Sequence, residues 1–260
     1  MAADYGDVRL DGKTWRDIAD EIELKHRFWN YQITVEMIDA REGDLVRNVF
    51  DRLNRNSRRL TAQELRHARY EGWFITQAEE EAESEEWSKL GVSTKSRSNR
   101  MVDVQFISEL MAVVLAGRPL GFSQEELDAL YGEYEDLQEV ENFDVEGFVE
   151  HFALARARLE AVEAHNQAVT TWAKGFGHIY TLWCLVALKE VLPPIDELSD
   201  RYAGFMAKVD EVGEMISLEQ AVPDEPVYAL AMRYRENARG ASTEEAQRIA
   251  RLEALSEAIL

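Results

Sequence analysis

At 260 residues, with 46% apolar content and six tryptophans, the chain can bury a sizeable core, which excludes a disordered or low-complexity polypeptide. Fifty acidic residues against 29 basic ones give a formal charge of −21, so the mean field repels phosphates and excludes DNA binding over the whole surface, leaving room only for a local site. The single Cys184 excludes an internal disulfide and a cysteine-rich metal site, and fits a reducing cytosol. The opening MAADYGDVRL has neither the basic nor the apolar region of a signal peptide, and the longest apolar run, Ile179 to Leu188, falls short of the roughly 18 residues needed to span a bilayer. The expectation is a soluble, cytoplasmic protein with no membrane partner.

In chain order, residues 12 to 28 read as a helix, with Trp15, Ile18, Ala19 and Ile22 on one face and Thr14 and Asp17 as its N-terminal signal. From Asn30 to Asp39 the alternation of Tyr31, Ile33, Val35 and Met37 reads as the one convincing strand. A lone strand cannot satisfy its hydrogen-bond ladder. It therefore pairs with a strand from elsewhere or belongs to a sheet that this chain does not contain. Leu45, Val46, Val49 and Leu53 then share a helical face, which Phe50 extends.

The stretch Val46 to Ile75 holds seven arginines, at 47, 52, 55, 58, 59, 66 and 69, among few acids. A polar turn, Asn54-Arg55-Asn56-Ser57, leads to Thr61 and Glu64 in capping-box spacing, and a second helix is expected from Ala62 through Tyr70, Trp73 and Phe74 into Gln77. A turn rich in backbone N–H groups ahead of a helix N-terminus is an anion cradle in outline. The planar guanidinium suits phosphate because it donates two parallel hydrogen bonds and stays charged. The bland alternative is that these arginines pair with the acidic helices and only balance charge.

The pattern Phe50-x-Arg52-Leu53-Asn54 followed by Leu60-Thr61-x-Gln63-Glu64-Leu65-Arg66-x-Ala68 resembles a block of the bacterial DGQQR-motif family. That family has a ParB/sulfiredoxin-like N-terminal domain and includes the N-terminal part of GmrSD-type modification-dependent restriction enzymes and the SspE-like phage-defence proteins. The resemblance aligns this chain with the C-terminal two-thirds of a member. No DGQQR occurs in the chain, and Asn56-Ser57 stand where glycines are usual. The resemblance implies a phosphate or nucleotide site drawing on Arg52, Asn54, Gln63 and Arg66, with Phe50, Glu64, His67 and Arg100 as further candidates. It implies a nucleoside triphosphate as ligand, and an upstream DGQQR-bearing chain or a nuclease subunit as partner. DNA bound through the local basic patch is the other partner expected.

Beyond this block the acidic run Glu79 to Glu86 reads as a solvated helix end or loop, and Ser88 to Ser98 as a loop. Lys95, Arg97 and Arg100 form a second small basic cluster, followed by Asp103. Amphipathic helices are expected from Val104 to Ala116, after the Ser123-x-x-Glu126 box, and from Val145 to about 168 under an Asp144 or Asn142 cap, with Phe148, Phe152, Leu154 and Leu159 inward. Gly175 and Gly177 mark a turn. His178 to Val191 is apolar all round, the pattern of a central buried helix. Helices follow over Ile195 to Val212, over Pro226 to Ala238, and from a Ser242-x-x-Glu245 cap to the end.

The five histidines, at 26, 67, 151, 165 and 178, show no metal-binding spacing, and Cys184 sits mid-helix as core. No P-loop, GxGxxG or GxSxG occurs. The fold expected is mainly α: a small incomplete α/β portion over residues 1 to 75, carrying one strand, then a helical domain over 76 to 260. Two functions remain open. One is a truncated or split DGQQR-type defence protein, not catalytic by itself, that contributes part of a phosphate site. The other is a helical protein-interaction module without catalytic activity.

Overall fold

The computed structural model describes residues 22 to 32 and 60 to 260, and the chain divides into two units, Met1–Arg58 and Arg59–Leu260. Every regular element among the described residues is a helix, thirteen in all, so the protein is mainly α as its periodicity implies. In the first unit α1 spans Ile22–Trp29 and buries Leu24. Asn30 to Gln32 form a turn and an irregular stretch, and the rest of the expected strand lies outside the described residues.

The second unit opens on a completed capping box. Thr61 Oγ1 accepts from the Glu64 N–H at 3.1 Å, while the Thr61 N–H donates to Glu64 Oε2 at 2.6 Å, starting α2 (Ala62–His67). This helix does not run on to Gln77. It stops at His67, and α3 (Trp73–Ala82) starts afresh from Gly72. The cause is a close approach at Gly72. The Glu135 carboxylate accepts from the N–H groups of Glu71 and Gly72, each at 3.0 Å, and a Cβ on Gly72 would stand 2.4 Å from the Cα of Glu135. Only glycine fits there.

Two short helices, α4 (Glu85–Lys89) and α5 (Lys95–Ser98), replace part of the expected loop. Nor is the acidic run wholly solvated: Glu81 is half-buried, accepts from Trp87 Nε1 at 3.1 Å and pairs with Arg156. Next, α6 (Val102–Ala116) turns Val104, Ile107, Leu110 and Met111 inward and ends on Gly117 at φ 63°, a left-handed stop that suits a residue without a side chain. Side-chain caps start the following two helices. Ser123 Oγ accepts from the Glu126 N–H at 3.2 Å for α7 (Gln124–Glu133), and Asp144 Oδ1 from the Gly147 N–H at 3.0 Å for α8 (Val145–Asn166). Along α8, Phe148, Phe152 and Leu159 are buried but Leu154 is 52% exposed. Two residues beyond Phe152 the helix has turned by about 200°, which carries Leu154 to the opposite face.

After α9 (Ala168–Trp172), the helix α10 (Phe176–Leu188) forms the centre, with every residue from Ile179 to Ala187 buried. It packs against α6, α8 and the last helix, α13 (Glu245–Ile259), and Trp183 Nε1 donates to the Leu110 carbonyl at 3.1 Å across the α6 contact. Between them lie α11 (Ile195–Ser217), which also packs on α8, and α12 (Pro226–Asn237), whose proline takes the first helical position. Ser242 does not cap α13. The helix begins two residues past the expected cap, from Glu244, and the Ser242 carbonyl instead accepts from Arg251 Nη1 at 2.8 Å. Among the described residues no helix is long and apolar enough to cross a membrane.

Candidate functional site

Of the candidate residues, Gln63, Glu64, Arg66, His67 and Arg100 fall within the described residues; Phe50, Arg52 and Asn54 lie outside them. The α2 helix brings the first four to one end of the helical unit, against α6 and α7. Arg66 is 2% exposed, and its guanidinium is spread over a set of inward acceptors. Nε donates to Asp128 Oδ1 at 2.6 Å, Nη1 to Gln63 Oε1 at 3.3 Å, and Nη2 to the Gln124 carbonyl at 3.0 Å and to its side-chain oxygen. The same guanidinium carbon stands 5.6 Å from the centroid of the Tyr131 ring.

Gln63 uses its amide group in both directions. Its oxygen takes the Arg66 bond, and Nε2 donates to the Tyr131 hydroxyl at 2.7 Å. Ser108 donates its own proton to the Val104 carbonyl at 2.8 Å, so the 2.6 Å contact between Tyr131 and Ser108 is a bond donated by the phenol. Burial pushes the Tyr131 hydroxyl above its ordinary pKa and keeps it a donor. The result is a closed chain of polar groups from α2 through α7 to α6, each partner satisfying the next.

Glu64 and Arg100 form a second arm. The Glu64 carboxylate that closes the capping box also pairs with Arg100 Nη2 at 3.2 Å, and Thr61 Oγ1 donates to the Arg100 carbonyl at 3.2 Å. His67 stands apart from both arms, with Nδ1 2.6 Å from Glu79 Oε1. This pair lies on a cleft of about 640 Å³ that Glu83, Ser88, Ser98 and Asp103 also line. Asp103 is buried and accepts from Ser98 Oγ and from the Val104 N–H.

The partners Gln124, Asp128, Tyr131 and Ser108 carry no local signal in the sequence, since each lies many residues from the α2 block. The Ser123-x-x-Glu126 box placed the start of α7; that Asp128 and Gln124 turn towards Arg66 was not readable. Among the described residues no group of three or more His, Cys, Asp or Glu side chains is placed to hold a metal ion. Burial pushes the Cys184 thiol up to about 12, which leaves it protonated at neutral pH. No family model, curated protein or solved structure matches this chain.

Proposed function

We propose that this chain is a non-catalytic component of a DGQQR-type defence protein, in which Arg52 and Asn54 meet a phosphate of a nucleotide or nucleic acid and a DGQQR-bearing chain or nuclease subunit completes the site. The observation that supports this reading is the inward commitment of Arg66. A guanidinium whose donors already serve Asp128, Gln63 and Gln124 holds the Thr61 to Ala68 block in the helical unit. On this reading Gln63, Glu64 and Arg66 fix the block, and phosphate contact falls to Arg52 and Asn54, seven or more residues upstream of Thr61 in the sequence. A place in the cytoplasm agrees with the lone cysteine.

The test is binding of a nucleoside triphosphate and of DNA by the full chain, alone and mixed with the polypeptide encoded immediately upstream. The double variant Arg52→Ala/Asn54→Ala loses binding while its circular dichroism and melting temperature stay unchanged; Arg66→Ala instead loses stability. Hydrolysis of the triphosphate by the pure chain alone overturns the non-catalytic assignment. Undiminished binding by the double variant overturns the phosphate assignment.

The same inward commitment favours a second reading, a helical protein-interaction module with an acidic exterior and no phosphate chemistry. Under that reading the double variant changes nothing beyond a modest stability loss.

A further inference from the structure

Arg251, on α13, is 0% exposed, yet no carboxylate among the described residues meets it. Nε donates to Thr181 Oγ1 at 3.1 Å, and Nη1 to the carbonyls of Asn237 and Ser242 at 2.6 and 2.8 Å, all neutral groups. Nη2 has no partner among the described residues. Its neighbour Arg248, by contrast, is matched: Nη2 pairs with Glu109 at 2.6 Å, and the guanidinium lies 3.8 Å from the Tyr180 ring centroid. Of the two buried guanidinium groups only Arg248 meets a carboxylate, and the surplus charge stays on Arg251. An uncompensated buried charge is costly unless an anion meets it.

That surplus lies at the positive end of the central helix. Nη2 stands 4.0 Å from the point where a Cβ on Gly177 would begin, and Gly177 is the second residue of α10, after the extended Gly175 N-cap. The first N–H groups of a helix have no partner inside it and carry its partial positive charge. Gly177 is itself exposed, and a Cβ on Gly175 would meet nothing within 4 Å. A third cation flanks this end: the Arg97 guanidinium lies 4.3 Å from the centroid of the Phe176 ring, on the first residue of the helix. One residue past Gly177, His178 feels the negative charge of Asp210 on α11. In a protein of charge −21 this is a local concentration of positive groups.

We propose that the Gly175–Phe176–Gly177 turn, with Arg251 and Arg97, is an anion site for a single phosphate group, separate from the Arg52 and Asn54 candidates. The phosphate oxygens accept from the N–H groups at the start of α10 and from Nη2 of Arg251, which reaches them past the missing side chain of Gly177. The site takes one tetrahedral dianion, supplied either as free phosphate or as the terminal phosphate of a nucleotide or nucleic acid strand.

The experiment is thermal melting of the full chain against inorganic phosphate, with chloride at matched ionic strength as control. The wild type gains melting temperature saturably with phosphate. Gly177→Asp, which places a carboxylate over Nη2, melts above the wild type without phosphate and gains nothing saturable from it. Arg97→Ala removes one flanking positive charge, and with it the bonds from Arg97 Nη1 to the Gly91 and Val92 carbonyls, so it lowers the melting temperature somewhat and weakens the phosphate response without abolishing it. The variant Arg52→Ala/Asn54→Ala retains the phosphate response, which separates this site from the one proposed above. Adenosine monophosphate and a 5′-phosphorylated oligonucleotide, beside its unphosphorylated form, identify the source of the group. A saturable response to any phosphate-bearing probe, lost in Gly177→Asp, supports the site. Equal phosphate gains in wild type and Gly177→Asp, or no saturable gain with any probe, overturn it.

Discussion

Arg66 and Asp128 face each other at 2.6 Å across an unequal boundary, the guanidinium 2% exposed and the carboxylate 46% exposed. Water can replace the arginine for Asp128, but nothing replaces Asp128, Gln124 and Gln63 for the arginine. The two ends of the pair should therefore respond differently to mutation. Arg66→Ala removes the hub of the polar chain and leaves the Gln63 amide oxygen without its donor, a loss of about 3 kcal/mol. Asp128→Asn keeps an acceptor in place and loses about 1 kcal/mol. Urea unfolding checks the ranking: both midpoints fall with an unchanged slope, and Arg66→Ala falls further. Equal midpoints would mean that the guanidinium is not the hub.

Gly72→Ala tests the break between α2 and α3. A Cβ 2.4 Å from the Glu135 backbone forces the main chain apart and releases the Glu135 carboxylate from two N–H groups. The expected loss is about 3 kcal/mol, although alanine favours helix more than glycine does. A variant as stable as the wild type would show that α2 and α3 can join as one helix.

His178 gives stability a pH dependence. Burial, reinforced by the Arg251 charge, holds its pKa below the ordinary 6.5, against the pull of Asp210, and Nδ1 lies 2.9 Å from the Tyr234 hydroxyl. Above 6.5 the ring is neutral in both folded and unfolded chains and adds no slope. Below 6.5 the unfolded chain takes up a proton that the folded chain resists, so stability declines as the pH falls. Unfolding free energies measured from pH 7.5 down to pH 5 should show this decline, and His178→Gln should flatten it. An unchanged slope in the variant would assign the decline to other groups.

Cys184 predicts a chemical silence. Buried on α10, with its thiol pushed up to about 12, it should not react with a thiol reagent at pH 8 while the chain is folded. Labelling should appear in step with unfolding as denaturant is added. Rapid labelling of the native chain would place the sulfur at an accessible surface.

The helices themselves were legible because their signals are local. Ser123, Asp144, Gly117 and the Thr61 box each act within four residues, and the apolar run at α10 announces a central helix through composition alone. What escaped the sequence depends on distant neighbours. Gly72 breaks a helix because Glu135 presses on it, and Glu81 leaves solvent because Trp87 and Arg156 hold it. Ser242 fails as a cap because the chain there turns its carbonyl towards Arg251. The candidate site divides in the same way. The Thr61 to Ala68 block and its capping box were readable from spacing, whereas Asp128, Gln124 and Tyr131 were not, since no short-range rule couples α2 to α7. Arg251 was equally hidden: of the two arginines of α13, nothing local shows that Arg248 meets a carboxylate and Arg251 does not.

The all-round burial of α10 constrains the order in which the molecule can be assembled. A helix with no polar face cannot wait in water, and one of its three covering helices, α13, is the last to be synthesised. While the ribosome is still making residues beyond Asn237, α6 and α8 shield only part of α10, and the remaining apolar strip is open to chaperones or to another nascent copy. Ribosome-bound chains halted before Glu245 should therefore be held by chaperones, and release should follow the emergence of α13.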